Sequence, residues 1–133
     1  MKTLLIVALL GIALCSKASD VVKCAKDQLG KPYVYGAEGP SNFDCSGLVR
    51  YCYLKVGVSL PHKASEQAKR GTTVKSYKEA DLLFFNSHGN TIDTINHVAI
   101  YIGNNRYIEA PYSGQVVRTT KMGRTVFLAK RIL

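Results

Sequence analysis

The hydrophobic pattern of this chain changes at about its midpoint, and that change limits the fold more than any other feature of the sequence. Between residues 20 and 71 the apolar residues recur at helical spacing in separate segments, with a loop at residues 30–44, whereas from residue 81 onward they form short runs typical of β-strands. Gly, Asn and Pro separate these runs, as is usual at turns between strands. Helices followed by strands predict an α+β domain with an antiparallel sheet.

The sequence predicts helices at residues 20–29, 45–56 and 64–70, and strands at residues 81–86, 97–103, 106–110, 114–119 and 125–133. A glycine follows each predicted helix and marks its end. Ser19 or Asp20 can cap the first helix, and Asp44 is a natural N-cap for the second. We therefore expect N-terminal helices packed on a small antiparallel sheet of about five strands.

The first 18 residues have the composition of a secretory signal peptide. Lys2 precedes an apolar run from Leu4 to Cys15, and small residues follow. The run is too short to anchor the chain in a bilayer, so no stable membrane insertion is expected; a buried N-terminal helix is the alternative. Cleavage is expected after Ala18, with Cys15 as the other candidate position. Residues 19–133 would then form a single domain, secreted or, in a bacterium, periplasmic.

The chain is strongly basic, with 18 Lys and Arg against nine Asp and Glu and a formal net charge of +9. Removal of the leader takes away Lys2 and Lys17 and no acid, which leaves +9 − 2 = +7. Such a charge favours anionic polymers such as a bacterial envelope, although it can also serve solubility alone. No basic run exceeds two residues and none is interleaved with aromatic residues, so no nucleic-acid partner is expected.

Three cysteines remain after the predicted cleavage, namely Cys24, Cys45 and Cys52. On one helix Cys45 and Cys52 would be roughly 10 Å apart, too far for a disulfide. We expect Cys24 and Cys52 to be buried free thiols, and the alternatives are a Cys24–Cys52 or a Cys24–Cys45 bridge. The His and Cys residues lack metal-ligand spacing and there is no phosphate-binding Gly loop, so no metal and no cofactor are expected.

The position of Cys45 favours nucleophilic chemistry. The first turn of a helix has unpaired N–H groups and the positive end of the helix dipole, which together favour a thiolate. A thiol nucleophile needs a base, and His97 opens a predicted strand, where a side chain is held more rigidly than in a loop. His62 precedes a short helix, where a polar residue is ordinary, and His88 lies in a polar loop.

Glu109 is the candidate to orient the His97 ring, but only if the hairpin between them has the right parity. A two-residue turn at Asn104–Asn105 would place His97 and Glu109 on opposite faces of the sheet. A three-residue loop or a bulge near residues 103–106 would make them diagonal neighbours within about 8 Å. A catalytic role for Glu109 therefore predicts an irregular hairpin.

Four segments, spread in order between residues 29 and 111, resemble motifs of the NlpC/P60 family of papain-like cysteine peptidases. The segments, in order, are LGKPYVYGA, FDCSGLVRYCYLKVGVSLP, DLLFF and HVAIYIGNNRYIEAP. The resemblance implies a papain-like α+β fold with a helix-borne cysteine against a small sheet. It also implies hydrolysis of peptidoglycan stem peptides without a cofactor, typically between γ-D-Glu and a diamino acid. A monomer is expected.

Carried over residue by residue, the resemblance places the nucleophile at Cys45 and the base at His97. Glu109 stands where the family most often has a third polar residue, usually His. Tyr33 falls on a tyrosine beside the oxyanion hole, and Asp44 and Ser46 fall on residues that help to bind the L-Ala end of the stem peptide. A silent peptidoglycan-binding module, an amidase or acyltransferase on another substrate, and a protein that simply coats anionic surfaces are the alternatives.

Overall fold

The computed structural model describes residues 17–133, so residues 1–16 of the predicted leader lie outside the described residues. The described helices are α1 (residues 17–27), α2 (Cys45–Leu54) and α3 (Ala64–Gln67), with a 3₁₀ turn at Ile92–Thr94. The prediction that Ser19 or Asp20 caps α1 is wrong, because the backbone is already helical at Lys17. Helix α3 is shorter than predicted, since it ends at Gln67.

Helix α2 begins where the sequence predicts. Asp44 is extended, with φ −91° and ψ −179°, and its side chain accepts a hydrogen bond from the Gly47 amide at 2.6 Å. This bond satisfies one of the amides that the first turn of a helix leaves without an intrahelical acceptor. Cys45 is therefore the first helical residue, and its side chain is fixed by a capped helix start.

Within the described residues, six antiparallel strands form one sheet in the order β1-β6-β2-β3-β4-β5. Their bounds are β1 Thr72–Thr73, β2 Leu82–Phe85, β3 His97–Gly103, β4 Arg106–Glu109, β5 Arg118–Lys121 and β6 Leu128–Arg131. The α+β prediction is confirmed. The sequence predicts one strand fewer because β1 is a pair of exposed threonines on the sheet edge, too short to show a period.

The fourth predicted strand, at residues 114–119, is displaced in the structure to Arg118–Lys121. The preceding residues bind the N-terminal loop instead of the sheet. The Tyr33 amide donates to the Gln115 carbonyl at 3.0 Å, and the Val117 amide donates to the Lys31 carbonyl at 2.8 Å. This pairing fixes the loop that carries Tyr33 against the end of the sheet.

The main core lies between the helices and one face of the sheet, where Leu82, Phe84, Val98, Ile100 and Ile108 are fully buried. The other face carries a smaller apolar cluster that includes Leu83, Phe85, Ala99 and Tyr107. Both faces of β2 are thus buried, which explains why its sequence, LLFF, shows no alternation.

A disulfide joins Cys24 of α1 to Cys52 of α2, with their Cα atoms 5.5 Å apart. The prediction of two free thiols is therefore wrong. The reason is that α1 and α2 pack with these two buried positions facing each other, within the distance that a bridge requires. Cys45 is the free cysteine of the described chain, residues 17–133.

Candidate active site

Cys45 lies at the edge of a cleft of about 560 Å³. The polar residues that share this cleft with it are Tyr33, Tyr35, Asp44, Ser46, His62, Lys63 and Asn96. They come from the loop before α2, from the start of α2, from the entrance to α3 and from the residue just before β3. Four separate segments therefore converge on this cleft, and the thiol is only partly exposed there.

Close packing of the backbone explains the glycine two residues after Cys45. A Cβ atom on Gly47 would collide with the carbonyl of Ala37 and lie 2.8 Å from an Asp44 carboxylate oxygen. The same Ala37 carbonyl accepts the Asp44 amide at 2.8 Å. Only glycine lets the 34–37 loop lie this close to the helix start, and the loop forms one side of the cleft.

His97 and Glu109 lie in contact on neighbouring strands. The His97 Nε2–H donates to Glu109 Oε1 at 2.7 Å, and both side chains are buried. Ile100 pairs with Ile108 and Tyr101 with Tyr107, but Gly103 pairs with Arg106, so β3 carries a one-residue bulge at Ile102. The irregular hairpin predicted from parity is confirmed, and it is what brings the two side chains to one face.

The protonated form of His97 is strongly favoured. Burial of the ring lowers its pKa, but hydrogen bonding and charge from Cys45 and Glu109 outweigh burial and raise the pKa to about 9. Since Nε2 is committed to Glu109, Nδ1 is the nitrogen left for the Cys45 thiol. The arrangement is suited to a thiolate–imidazolium pair.

Glu109 stays ionised although it is buried. Burial raises its pKa, but the bonds from His97, from Thr120 and from Arg118 lower it to about 2. The Thr120 hydroxyl donates to Glu109 Oε2 at 2.7 Å, and the Arg118 Nε–H donates to the same oxygen at 3.3 Å. One carboxylate oxygen therefore faces His97, while the other is held by strand β5.

The Asp44 carboxylate is already engaged by protein donors. It accepts the Gly47 amide at 2.6 Å and the Gly36 amide at 3.0 Å, and both its oxygens lie 3.0 Å from His62 Nε2. The Ser46 hydroxyl also lies 3.4 Å from it. Asp44 thus fixes the helix start, the loop and the far wall of the cleft at one point.

Tyr33 lies beside the nucleophile. Burial raises the pKa of its hydroxyl, and the charges of Cys45 and Asp44 raise it further. Its segment is held by a bridge to Phe43 and by the bond to Gln115. A neutral phenol at this position can donate a hydrogen bond into the cleft.

Comparison with known proteins places the chain in a family. The NlpC/P60 family model matches residues 30–132, which is most of the chain. The chain belongs to the NlpC/P60 family. Every segment that forms the cleft and the His97–Glu109 pair falls within the matched residues.

Curated NlpC/P60 relatives include the γ-DL-glutamyl hydrolase of Bacillus subtilis, 39% identical over 74% of this chain and 25% of that protein. Another is the murein DD-endopeptidase MepH of Escherichia coli, 37% identical over 71% of this chain and 36% of that protein. The crystal structure of an NlpC/P60 family protein from Bacillus cereus has a TM-score of 0.80 at 28% identity, over 87% of this chain and 40% of that one. The chain thus spans less than half the length of these relatives.

Two features of this NlpC/P60 site are not predicted from the sequence. His62 is not an ordinary helix-entrance residue, since its Nδ1 lies 3.3 Å from Glu38 and its Nε2 contacts Asp44. Thr120 and Arg118 hold Glu109, although the predicted strand ends before Thr120. The alternation of Arg118 and Thr120 along one strand is the only signal in the sequence, and it points to Glu109 only once the β4–β5 register is known.

His88 is exposed in the 86–96 loop and does not line the cleft. Within residues 17–133, no group of three or more His, Cys, Asp or Glu side chains is arranged to hold a metal ion. No helix in that part of the chain is both long and apolar enough to cross a membrane.

Proposed function

We propose that this protein is a cysteine peptidase that hydrolyses peptidoglycan stem peptides. The observation that carries the proposal is the order of three groups: a free thiol at the start of α2, the His97 ring, and a buried, ionised Glu109 bonded to that ring. Acyl transfer by a thiol uses a nucleophile, a base next to it and a carboxylate that orients the base.

In the proposed reaction the Cys45 thiolate attacks the carbonyl carbon of the scissile amide. A C–S bond forms, and the carbonyl oxygen becomes an oxyanion. The Cys45 amide has no intrahelical acceptor, and Tyr33 lines the same cleft; we assign this amide and the Tyr33 hydroxyl as the donors to that oxygen. Tyr33 is suited to this role because its raised pKa keeps the phenol protonated.

The imidazolium of His97 then gives its proton to the leaving nitrogen as the C–N bond breaks. The acyl group remains on Cys45 as a thioester. His97, now neutral, takes a proton from water as the water oxygen attacks the thioester carbon. The C–S bond then breaks, which restores the Cys45 thiolate beside the His97 imidazolium, and the released carboxylic acid loses its proton to solvent. Glu109 holds Nε2–H throughout, so the nitrogen that exchanges protons always faces the thiol.

Within this class we propose cleavage of the γ-D-glutamyl–diamino acid bond. The family motifs around Cys45 and His97 support this choice, as does the likeness to the γ-DL-glutamyl hydrolase of Bacillus subtilis. The likeness to a murein DD-endopeptidase makes a bond between two D-configured centres, as in the cross-links between stem peptides, the competing choice. For cleavage after γ-D-Glu, Asp44 and Ser46 are proposed to bind the L-Ala end of the stem.

Export is part of the proposal, because peptidoglycan lies outside the cytoplasmic membrane. The composition of residues 1–18 supports export, and so does the Cys24–Cys52 disulfide, since such bonds persist in oxidising compartments. The net positive charge would favour contact with an anionic envelope. The protein is proposed to act as a monomer.

Mass spectrometry of muropeptides tests the proposal. The wild type, Cys45→Ala, His97→Ala and His88→Ala are each incubated with purified muropeptides. The wild type and His88→Ala should split the stem after γ-D-Glu, whereas Cys45→Ala should not, and His97→Ala should lose roughly 100-fold or more in rate. Splitting of cross-linked muropeptides at the bond between two D-configured centres would select the other bond. Intact muropeptides with the wild type would contradict a peptidase, and binding without cleavage would then indicate a silent module.

A further inference from the structure

Strand β5 presents two side chains to the oxygen of Glu109 that faces away from His97. Thr120 Oγ1–H donates to Oε2 at 2.7 Å, and Arg118 Nε–H donates at 3.3 Å. The backbone register supports this contact, because Glu109 pairs with Arg118 and Tyr107 pairs with Thr120. Both donors therefore lie on the same face of the sheet as Glu109.

We propose that Thr120 is a positioning residue for the His97–Glu109 pair and that Arg118 supports it. This inference rests on the proposed peptidase function. With Oε2 held by β5, the carboxylate cannot rotate without losing a charge-assisted bond, so Oε1 stays directed at Nε2 of His97. Thr120 and Arg118 touch neither the thiol nor the cleft, so they act through Glu109.

The two donors are unequal. The Arg118 side chain is 41% exposed, so its attraction to Glu109 is screened by water. Thr120 makes the shorter bond from a partly buried position. We therefore expect Thr120 to carry most of the positioning and Arg118 to contribute less.

Several titratable or hydrogen-bonding groups surround Glu109 and could change how the reactivity of Cys45 depends on pH. His97 faces it from β3, and Arg118 and Thr120 face it from β5. Tyr107 on β4 is also close to Glu109. Burial raises the pKa of Tyr107, the Glu109 charge raises it further, and the Arg124 charge lowers it. The β5 donors are the groups that can be changed without removing the reacting pair.

The chain supplies a matched control on the same strand. Thr119 pairs with Ile108, and its side chain is exposed on the opposite face from Thr120. Thr119→Val and Thr120→Val thus make the same chemical change one residue apart, and only the second removes a bond to Glu109. Thr120→Ser restores a hydroxyl and serves as the conservative variant.

The first readout is the rate at which iodoacetamide alkylates Cys45, measured against pH by peptide mapping of the whole protein. A weaker hold on the imidazolium makes the thiolate less stable. Thr120→Val should therefore move the acid limb of the profile upward by about 0.5–1 pH unit. Thr119→Val and Thr120→Ser should follow the wild type.

The second readout is hydrolysis of the tetrapeptide L-Ala-γ-D-Glu-diaminopimelate-D-Ala. Thr120→Val should lower kcat by roughly 3- to 10-fold with KM unchanged, and Arg118→Gln should show a smaller loss in the same direction. A Thr120→Val profile that superimposes on Thr119→Val, or no recovery with Thr120→Ser, would overturn the proposal. If Thr120→Val does not fold, an Arg118→Gln profile identical to the wild type overturns it.

The two readouts separate this inference from the proposed function. If the wild type leaves the tetrapeptide intact, the proposed function fails. The alkylation profile would still decide whether Thr120 positions Glu109, because it needs only the thiol and the ring.

Discussion

Both carboxylate oxygens of Asp44 lie 3.0 Å from Nε2 of His62. The same carboxylate caps α2 through the Gly47 amide. Asp44 therefore has a structural role at the helix start and, on the proposed function, a second role in holding the L-Ala ammonium group of the substrate. An incoming ammonium group must share this carboxylate with His62.

The variant Asp44→Asn should separate the capping role of Asp44 from its proposed role in substrate binding. Asp44→Asn keeps a good N-cap, so stability should be nearly unchanged, but the lost charge should raise KM by roughly tenfold or more. Asp44→Ala should raise KM as well and lose about 1 kcal/mol of stability. Urea unfolding and tetrapeptide kinetics measure the two effects. An unchanged KM in Asp44→Asn would remove Asp44 from substrate binding.

Gly47→Ala should be strongly destabilising because its methyl group meets the Ala37 carbonyl. We expect a loss of about 1–3 kcal/mol, with the cleft disturbed as well. Gly123→Ala is the matched control, since a Cβ there has no atom within 4 Å. Thermal and urea unfolding of the two variants compare the positions. Equal stabilities would mean that the loop moves away without cost.

Removal of the Cys24–Cys52 bridge should lower stability without removing the chemistry. The bridge closes a loop across 28 residues, so the double variant Cys24→Ala/Cys52→Ala should lose about 3 kcal/mol. Cys45→Ala should show the opposite pattern, with activity lost and a much smaller change in stability than in the double variant. Urea unfolding with a parallel cleavage assay tests both. A double variant as stable as the wild type would contradict the expected role of the bridge.

The His97–Glu109 pair should make stability depend on pH. The pKa of His97 is raised from 6.5 to about 9, so its stabilising effect is complete below pH 6.5 and is lost as the pH rises through about 9. The pKa of Glu109 is lowered from 4.5 to about 2, so its effect is present above pH 4.5 and is lost as the pH falls through about 2.

Glu109→Gln should consequently differ most from the wild type between pH 4.5 and pH 6.5. The difference in unfolding free energy should shrink on both sides of that range. Glu79→Gln, at an exposed position, is the control and should differ little from the wild type at any pH. Urea unfolding at a series of pH values measures both curves. A constant difference for Glu109→Gln would contradict the ionised pair.

Local signals in the sequence were sufficient for the helix that carries Cys45. The Asp44 cap and the helical spacing after it depend only on neighbouring residues, and the structure starts α2 at that residue. The irregular β3–β4 hairpin could also be predicted from the sequence. Side chains alternate between the two faces of a strand, and this limits the hairpin geometries in which His97 and Glu109 can meet.

Features that depend on packing between distant segments could not be predicted from the sequence. The Cys24–Cys52 bridge follows from how α1 and α2 pack, and spacing along the chain does not report that. The predicted start of β5 is wrong because residues 115–117 pair with the N-terminal loop. This contact joins segments about 80 residues apart in the sequence. Thr120 and His62 were missed for the same reason, since their partners are set by tertiary structure.

The bulge at Ile102 also limits how this hairpin can vary in length. Adding or deleting one residue between His97 and Glu109 would turn the carboxylate to the opposite side of the sheet, away from the ring. Two added residues would leave the pair in phase. Among homologous chains that keep an acidic residue here, insertions in this hairpin should therefore occur in even numbers, and an odd insertion should coincide with loss of the bulge.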